Sequence, residues 1–244
     1  MCTLAVALHA DPHWPLIAAT NRDERLGRPA EDWAIRRPPA GPAYLAPLDA
    51  VAGGTWIGIS AWGLFAALTN FHAGPPFPDP LRTSRGLLVL RALSRDSVAG
   101  AWAELRRTDP STYNPFHLVV ADVERAFLWR YDGRSATFHD LAPGLHVITE
   151  SDHAGGSARA ERVRARWPAR PDPAALREVL AQHADSPRDG TCIHLDPHYG
   201  TRSSAVVRLA PALAWSSLSV ANGRPCTTPL EDRSSLLAEL ARQA

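Results

Sequence analysis

The N-terminal segment contains two short apolar runs separated by turn-forming residues, and this arrangement constrains the fold more than any other feature. Residues 2–6 and 16–20 are the apolar runs, and the segment between them includes Ala10-Asp11-Pro12-His13. This pattern predicts an antiparallel β-hairpin. In such a hairpin the start of the first strand lies beside the end of the second. The thiol of Cys2 is therefore expected close to Arg22 and Asp23.

Cys2 combines groups that support covalent chemistry. Removal of Met1 would give Cys2 a free α-amino group, whose ordinary pKa of about 7.7–8.0 suits a base near neutral pH. The nearby Arg22 guanidinium would lower the pKa of the thiol, which is ordinarily about 8.5. Nucleophile and base would then belong to one residue. The simpler interpretation, which position alone favours, is a small apolar residue that opens a buried strand.

The composition is that of an ordinary globular protein, with 244 residues of which 45% are hydrophobic and 21% charged. A single domain over residues 1–244 is expected. The net charge of +1 argues against a nucleic-acid or polybasic membrane partner. The chain has no lysine, which excludes a Schiff-base or phosphate-loop lysine. No transmembrane run or secretory signal is evident, so a cytoplasmic location is expected.

Apolar periodicity divides the remaining chain into groups of strands and helices. Residues 53–60 and 64–70 predict a second hairpin, whereas the proline-rich residues 25–43 predict an irregular connection. Further strands are predicted near residues 44–46, 116–121, 125–131, 136–138, 145–149, 204–209 and 213–220. Helices are predicted over 84–93, 97–107, 158–167, 174–183 and 234–242. This grouping favours packed antiparallel sheets with helices outside over a Rossmann fold.

The charged sequence Asn21-Arg22-Asp23-Glu24 directly follows the second apolar run. One interpretation is a charged turn in which Asn21 or Asp23 caps the following backbone. The functional interpretation assigns Arg22 to thiolate stabilisation or substrate contact. It assigns Asp23 to orienting the α-amine, and Glu24 to a supporting role.

Two further residues are candidates for a site near Cys2. Asn70 ends the second hairpin and could donate a hydrogen bond to an oxyanion, although a turn residue at a strand end is the stronger interpretation in isolation. Arg202 precedes an apolar strand. It would either fix the Cys2 region or bind an anionic group, or else be a solvated arginine beside a turn.

Cys192, His194 and His198 have a spacing that permits metal ligation, with Asp196 between them. No second pair completes a familiar signature, and ten histidines make chance clusters common. The interpretation as ordinary loop residues is preferred, and neither a metal nor a cofactor is predicted. Three cysteines also give no disulfide framework.

Taken together, these motifs resemble the NRDE family, to which the transport-and-Golgi-organisation proteins belong. The matching segments are Met1-Cys2, residues 21–24, 53–60, 66–70 and 199–202. They are ordered along nearly the whole chain. The family in turn is similar to the N-terminal nucleophile (Ntn) hydrolases, above all the cysteine branch of bile-salt hydrolases and penicillin V acylases.

This resemblance implies an α+β fold, a four-layer αββα sandwich of two antiparallel sheets. It implies Cys2 as nucleophile, with Arg22, Asp23, Asn70 and Arg202 completing the catalytic set. Asn21, Trp56 and Glu150 make up the expected substrate-binding set.

Glu150 departs from the pattern of the branch, which has an oxyanion-hole asparagine after a similar strand. An ionised glutamate cannot donate a hydrogen bond, and losing one donor costs on the order of 10²–10³ in rate. Three explanations stay open: the alignment shifts by a residue or two, Ser151 substitutes, or the protein is a weak hydrolase.

Two functions therefore remain. The first is an amidohydrolase or acyltransferase acting on a small amide or thioester, which Cys2, Arg22 and Asp23 favour. The second is a binding or trafficking protein on the same scaffold, which Glu150 favours, and the NRDE resemblance implies haem or acyl-CoA/lipid as its ligand. The chain lacks a Cys-x-x-Cys-His haem attachment motif. The sequence narrowly favours the hydrolase.

Overall fold

Fourteen strands and five α-helices form the regular structure of residues 2–72 and 74–244, the parts of the chain that the computed structural model describes. The strands are β1 (Cys2–Leu8), β2 (Leu16–Arg25), β3 (Ala30–Arg36), β4 (Tyr44–Asp49), β5 (Ile57–Ser60), β6 (Phe65–Asn70), β7 (Phe116–Ala121), β8 (Ala126–Tyr131), β9 (Ala136–Leu141), β10 (Gly144–Thr149), β11 (His194–Asp196), β12 (Tyr199–Leu209), β13 (Ser217–Ala221) and β14 (Glu231–Asp232). The helices are α1 (Gly86–Leu93), α2 (Val98–Leu105), α3 (Ala158–Ala165), α4 (Pro173–Leu180) and α5 (Ser234–Ala241).

The strands form two seven-stranded antiparallel sheets. The first sheet has the order β10-β1-β2-β12-β13-β14, with β11 also paired to β12. The second sheet is a meander in which β3 to β9 follow one another in chain order. The sheets pack face to face, α1 and α2 cover the outer face of the second sheet, and α3 and α4 cover the first. The expected αββα sandwich is confirmed.

Strand β1 shows why the sequence produces this layering. Successive side chains of a strand point to opposite faces of its sheet. Leu4, Val6 and Leu8 pack in the core between the two sheets, whereas Ala5 and Ala7 pack beneath the outer helices. Both faces are covered, so every residue of β1 is buried and the strand contains no charged residue.

The predicted N-terminal hairpin is confirmed. Its register places Cys2 opposite Arg22 and Leu8 opposite Leu16. The turn closes with the N–H of His9 donating to the carbonyl of Pro15 at 2.7 Å. The first residue of β1 and the charged end of β2 therefore lie at the same edge of the first sheet.

The predicted second hairpin and all five predicted helices are also present, but the proline-rich connection differs from its prediction. It contains β3, which pairs with β4 alone and is mostly half-buried or exposed, so it lacks the apolar alternation of a two-sided strand. Residues 213–215, predicted as strand, form a 3₁₀ turn. Strand β12 is longer than predicted because β2 pairs with it as far as Tyr199.

No helix among the described residues combines the length and apolarity needed to cross a membrane.

Candidate active site

The structure brings five of the predicted site residues to one cleft of about 580 Å³ at the edge of the two sheets. Cys2, Arg22, Asp23, Trp56 and Asn70 all line it. The first three come from the N-terminal hairpin of the first sheet. Trp56 precedes β5 and Asn70 ends β6, so the second sheet provides the opposite wall.

Cys2 is buried, with 9% of its surface exposed at the cleft. Burial raises the pKa of its thiol, and the carboxyl of Asp23 raises it further. The backbone N–H of Asp23 and the guanidinium of Arg22 act in the opposite direction and lower that pKa. Because burial dominates, the thiol needs a nearby proton acceptor to become a nucleophile.

Arg22 stands beside Cys2 with an unused donor. Its guanidinium carbon lies 3.9 Å from the centroid of the Trp56 ring, and Nη2 lies 3.9 Å from Oε2 of Glu24. Burial lowers the pKa of Arg22, but an arginine remains charged in a protein. Its buried Nη1 has no hydrogen-bond partner among the described residues. Such a donor is costly to leave unpaired, and it suits a polar ligand atom in the cleft.

Asp23 is held in a buried polar network. The hydroxyl of Thr201 donates to Oδ1 at 2.6 Å, and Nη1 of Arg159 lies 3.8 Å from Oδ2. The Tyr199 hydroxyl donates to the Asp23 carbonyl at 3.1 Å. Burial raises the pKa of Asp23 to about 7, so the carboxyl changes its charge near neutral pH.

Arg159 links Asp23 to Glu150. Its Nη1 donates to Oε2 of Glu150 at 2.8 Å, and its Nη2 donates to the carbonyl of Arg188. Glu150 is thereby neutralised by a buried cation instead of standing as an isolated charge. Sequence reasoning missed Arg159, because one arginine among several on a short, polar helix carries no local signal.

Glu150 lines a second pocket of about 700 Å³ that adjoins the cleft. The two cavities share Asn70, Pro78, Arg85 and Asn114 in their walls. Apolar side chains, including those of Phe71, Phe77 and Leu195, also line the second pocket.

The loop after β6 forms part of both walls and is tied down by Asn114. Oδ1 of the Asn114 side chain accepts from the N–H of Asp79 at 2.7 Å, and its Nδ2 donates to the carbonyl of Asp79 at 2.8 Å. The loop residue Phe77 lines the second pocket, and Pro78 lines both cavities. The described part of the loop therefore borders the site, and Ala73 lies outside the described residues.

Arg85 is a further residue of the site that the sequence analysis did not single out. A side chain at Gly54 would lie 2.6 Å from the backbone of Gly86, so two glycines let α1 begin directly against the segment before β5. This contact places Arg85 in the wall of both cavities. Its Nη1 donates to the carbonyl of Pro115 at 2.9 Å, and desolvation lowers the pKa of Arg85 to about 10.

Asn21 does not face the cleft with Cys2. Its amide nitrogen donates to the carbonyls of Leu180 and Thr191 at 2.8 and 2.7 Å, and its oxygen accepts from Ser204 at 2.6 Å. All its polar atoms are therefore used to hold α4 and the segment before β11 against the first sheet. This geometry corresponds to a structural role and not to the expected substrate contact.

Arg202 lies in a separate pocket. Its Nε donates to the carbonyl of Leu26 at 3.3 Å, and it lines a cavity with Trp33 and Trp56. The Trp56 ring borders both this cavity and the cleft of Cys2. Arg202 lowers the pKa of Arg22, so the two guanidinium groups interact electrostatically across this region.

The metal ligands considered from the sequence are only partly together. Cys192 and His194 belong to a close cluster whose other members are His183 and Cys226. His198 is not in that cluster, and its carbonyl accepts from the N–H of Leu26.

Comparison with solved structures gives the class of fold. A Caenorhabditis elegans N-acylethanolamine-hydrolyzing acid amidase ortholog superposes with a TM-score of 0.59 at 17% identity, covering 85% of this chain and 92% of that one. The C2A mutant of a conjugated bile acid hydrolase from Clostridium perfringens superposes with a TM-score of 0.56 at 10% identity. This match covers 98% of the present chain and 94% of the hydrolase. These likenesses show that the chain has the fold of the N-terminal nucleophile hydrolases.

The sequence places the chain within a family of that fold. The profile of the family described as Transport and Golgi organisation 2 matches residues 1–168, and the chain belongs to this family. A mouse homolog is 36% identical over 114 residues, covering 44% of this chain and 39% of its own length. A bovine homolog is 32% identical over 146 residues, covering 56% of this chain and 50% of its own length. The chain thus spans half or less of the length of these relatives. The family resemblance expected from the motifs is confirmed.

Proposed function

We propose that this protein is a cysteine hydrolase or acyltransferase that acts on a small amide or thioester. The observation that carries the proposal is the position of the Cys2 thiol. It lies in a cleft beside the unpaired Nη1 of Arg22 and the buried carboxyl of Asp23. The fold, shared with an acid amidase ortholog and a bile acid hydrolase, supports this assignment.

The mechanism begins with cleavage of the peptide bond before Cys2, because Met1 blocks the amine. Met1 itself lies outside the described residues. The freed α-amine takes the thiol proton while Sγ attacks the substrate carbonyl carbon. Asp23 positions and balances the ammonium that forms, and Asn70 and Nη1 of Arg22 donate to the developing oxyanion.

Collapse of the tetrahedral intermediate completes the first half of the reaction. The bond from the carbonyl carbon to nitrogen or sulfur breaks, and the leaving group receives the proton from the α-amine. Water, or another acyl acceptor, then attacks the thioester on Cys2 with the amine again as base. This step releases a carboxylate or a transferred acyl group and restores the thiol.

The cleft and the adjoining pocket suggest the class of substrate. Arg22 and Arg85 provide two cations in the walls, and Phe71, Phe77 and Leu195 provide apolar surface beside them. A small molecule with an acyl portion and an anionic group matches both features.

The second candidate is a protein that binds acyl-CoA or haem without turnover. It is favoured by Glu150, whose carboxylate is paired with Arg159 where the resembling hydrolases have a hydrogen-bond donor. The same cations and apolar surface would hold an anionic, partly apolar ligand.

Intact-mass analysis with a thiol-reactive acyl analogue separates the two candidates. We expect the mature chain to begin at Cys2 and to be labelled there faster than free cysteine. Labelling should be lost in Cys2→Ala, and peptide mapping of the wild-type chain should locate the label on Cys2. An acyl-thioester and amide panel should then show turnover that depends on Cys2. Retention of Met1, or labelling no faster than free cysteine, would contradict the hydrolase. Ligand binding of equal affinity in wild type and Cys2→Ala, without turnover, would support the binding protein.

A further inference from the structure

A cluster of four metal-binding side chains lies apart from the residues assigned to catalysis. His183 follows α4, Cys192 lies just before β11, His194 begins β11, and Cys226 lies in the loop after β13. One ligand atom from each residue lies within 4.8 Å of the corresponding atoms of the others. Three separate segments of the chain thus meet at one point.

Three distances within this cluster match those of a tetrahedral coordination shell, and the ligand atom of His183 lies within 4.8 Å of the other three. Sγ of Cys192 lies 3.5 Å from Sγ of Cys226 and 3.5 Å from Nε2 of His194. Sγ of Cys226 lies 3.4 Å from the same nitrogen. A tetrahedral zinc ion with Zn–S of about 2.3 Å and Zn–N of about 2.0–2.1 Å separates its ligand atoms by roughly 3.4–3.8 Å.

We propose that His183, Cys192, His194 and Cys226 bind one zinc ion in a tetrahedral Cys₂His₂ site. The donor set selects the metal, because thiolate and imidazole ligands favour zinc, whereas magnesium and calcium require oxygen ligands. Two thiolates also neutralise the charge of the ion. Four protein ligands leave no open position, which is typical of a structural site and not of a catalytic one.

Access and burial are consistent with a site that is loaded from solution. His183 and His194 are exposed, Cys226 is half-buried and Cys192 is buried. The His183 and His194 rings meet nearly edge to face, with centroids 4.9 Å apart at 71°. The ion would therefore lie beneath an outer pair of histidines and above an inner pair of cysteines.

The position of the cluster indicates what the ion would stabilise. The N–H of Cys192 donates to the carbonyl of Gln182 at 2.9 Å, and the preceding Thr191 accepts from the buried amide of Asn21. On the other side, Leu195 and Asp196 of β11 line the pocket that adjoins the cleft. Zinc would thus fix one wall of this pocket to the segment after α4 and to the loop after β13.

Only part of this ligand set was considered from the sequence. It offered Cys192, His194 and His198, and the spacing alone favoured no metal. His183 and Cys226 lie nine and 34 residues away from Cys192, so only the tertiary structure brings them into reach.

The test uses the full chain, purified without a histidine tag or chelator from zinc-supplemented cells. Elemental analysis should find about one zinc per chain. Replacement of zinc by Co²⁺ should give the intense visible absorption of tetrahedral cobalt with thiolate-to-metal charge transfer. His183→Ala and Cys226→Ser should each weaken zinc binding by at least about 100-fold, because even the loss of outer partners costs about 10–100-fold. His198→Ala is the matched control and should retain full zinc content.

Other outcomes would overturn the proposal. One is a wild-type mass lower by two hydrogens, with Cys192 and Cys226 in one cross-linked peptide, which would show a disulfide. Another is a protein in which the thiols of Cys192 and Cys226 are free, no zinc is bound, and added Co²⁺ gives no tetrahedral cobalt absorption. Equal zinc loss in His198→Ala and His183→Ala would show binding elsewhere. Circular dichroism of each variant with and without added zinc separates loss of the site from loss of folding.

Discussion

The guanidinium of Arg22 lies 3.9 Å from the centre of the Trp56 ring. Arg22 belongs to the first sheet, whereas Trp56 directly precedes β5 of the second. The contact therefore joins the two sheets at the wall of the cleft. A desolvated contact of this kind contributes up to about 2 kcal/mol. It also fixes the position of the cation next to Cys2.

Replacement of Arg22 should reduce the reactivity of Cys2. The guanidinium lowers the pKa of the thiol, so Arg22→Ala should slow alkylation at pH 7 by about tenfold. Alkylation rates measured against pH, with peptide mapping to Cys2, provide the readout. Arg202→Ala is the comparison, because Arg202 lines a different pocket and should change the rate much less. Equal effects of both changes would show that the two arginines act together on the thiol.

Asp23 should make folding stability fall between acidic and neutral pH. Burial raises the pKa of Asp23 to about 7, above the value of about 3.9 in an unfolded chain. Folding therefore favours the protonated carboxyl. This stabilisation is complete below about pH 4 and is lost as the pH rises to about 7, a change on the order of 4 kcal/mol.

Asp23→Asn should remove this pH dependence. The difference in unfolding free energy between wild type and the variant, measured by urea denaturation from pH 4 to 8, should shift in favour of the variant as the pH rises. At the same time the variant should lose Cys2-dependent turnover. A difference that stays constant with pH would show that Asp23 is ionised throughout.

Loss of the Asn21 side-chain amide should destabilise the fold without changing the residues that line the cleft. Asn21→Leu keeps the size of the side chain but leaves two carbonyls and the Ser204 hydroxyl without their partner. At about 1–3 kcal/mol for each of these three buried groups, we expect a loss of roughly 3–9 kcal/mol. Chemical denaturation measures it. The exposed Asn222→Leu serves as control and should stay within about 0.5 kcal/mol of wild type.

Glu150→Asn should increase hydrolysis if Glu150 occupies an oxyanion position. Asparagine restores a donor, which is worth on the order of 10²-fold in kcat. Glu150→Ala removes the carboxylate without supplying a donor and should give no such gain. Steady-state kinetics on one amide and one thioester test both variants. If both variants instead lose activity equally, the ion pair of Glu150 with Arg159 is needed to position Asp23.

Much of the fold could be predicted because its signals are local. Two apolar runs separated by turn-forming residues mark a hairpin, and its turn fixes the pairing of Cys2 with Arg22. The opposite orientation of Asn21 and Arg22 was also available from the sequence, since neighbouring residues of a strand point to opposite faces. The edge strand β3 was not predicted, because an exposed strand paired on one side has no apolar alternation.

The sequence by itself determined the layered fold, the family and the residues at the start of the site, because each depends on short-range pattern or on contiguous motifs. Only the tertiary structure decided the rest. Arg159 neutralises Glu150 from α3, Arg85 enters the cleft through a close glycine contact, and Cys226 meets Cys192 from another loop. These contacts join residues that are far apart in the chain, and their geometry arises from the packing of whole elements. No local pattern encodes such distances.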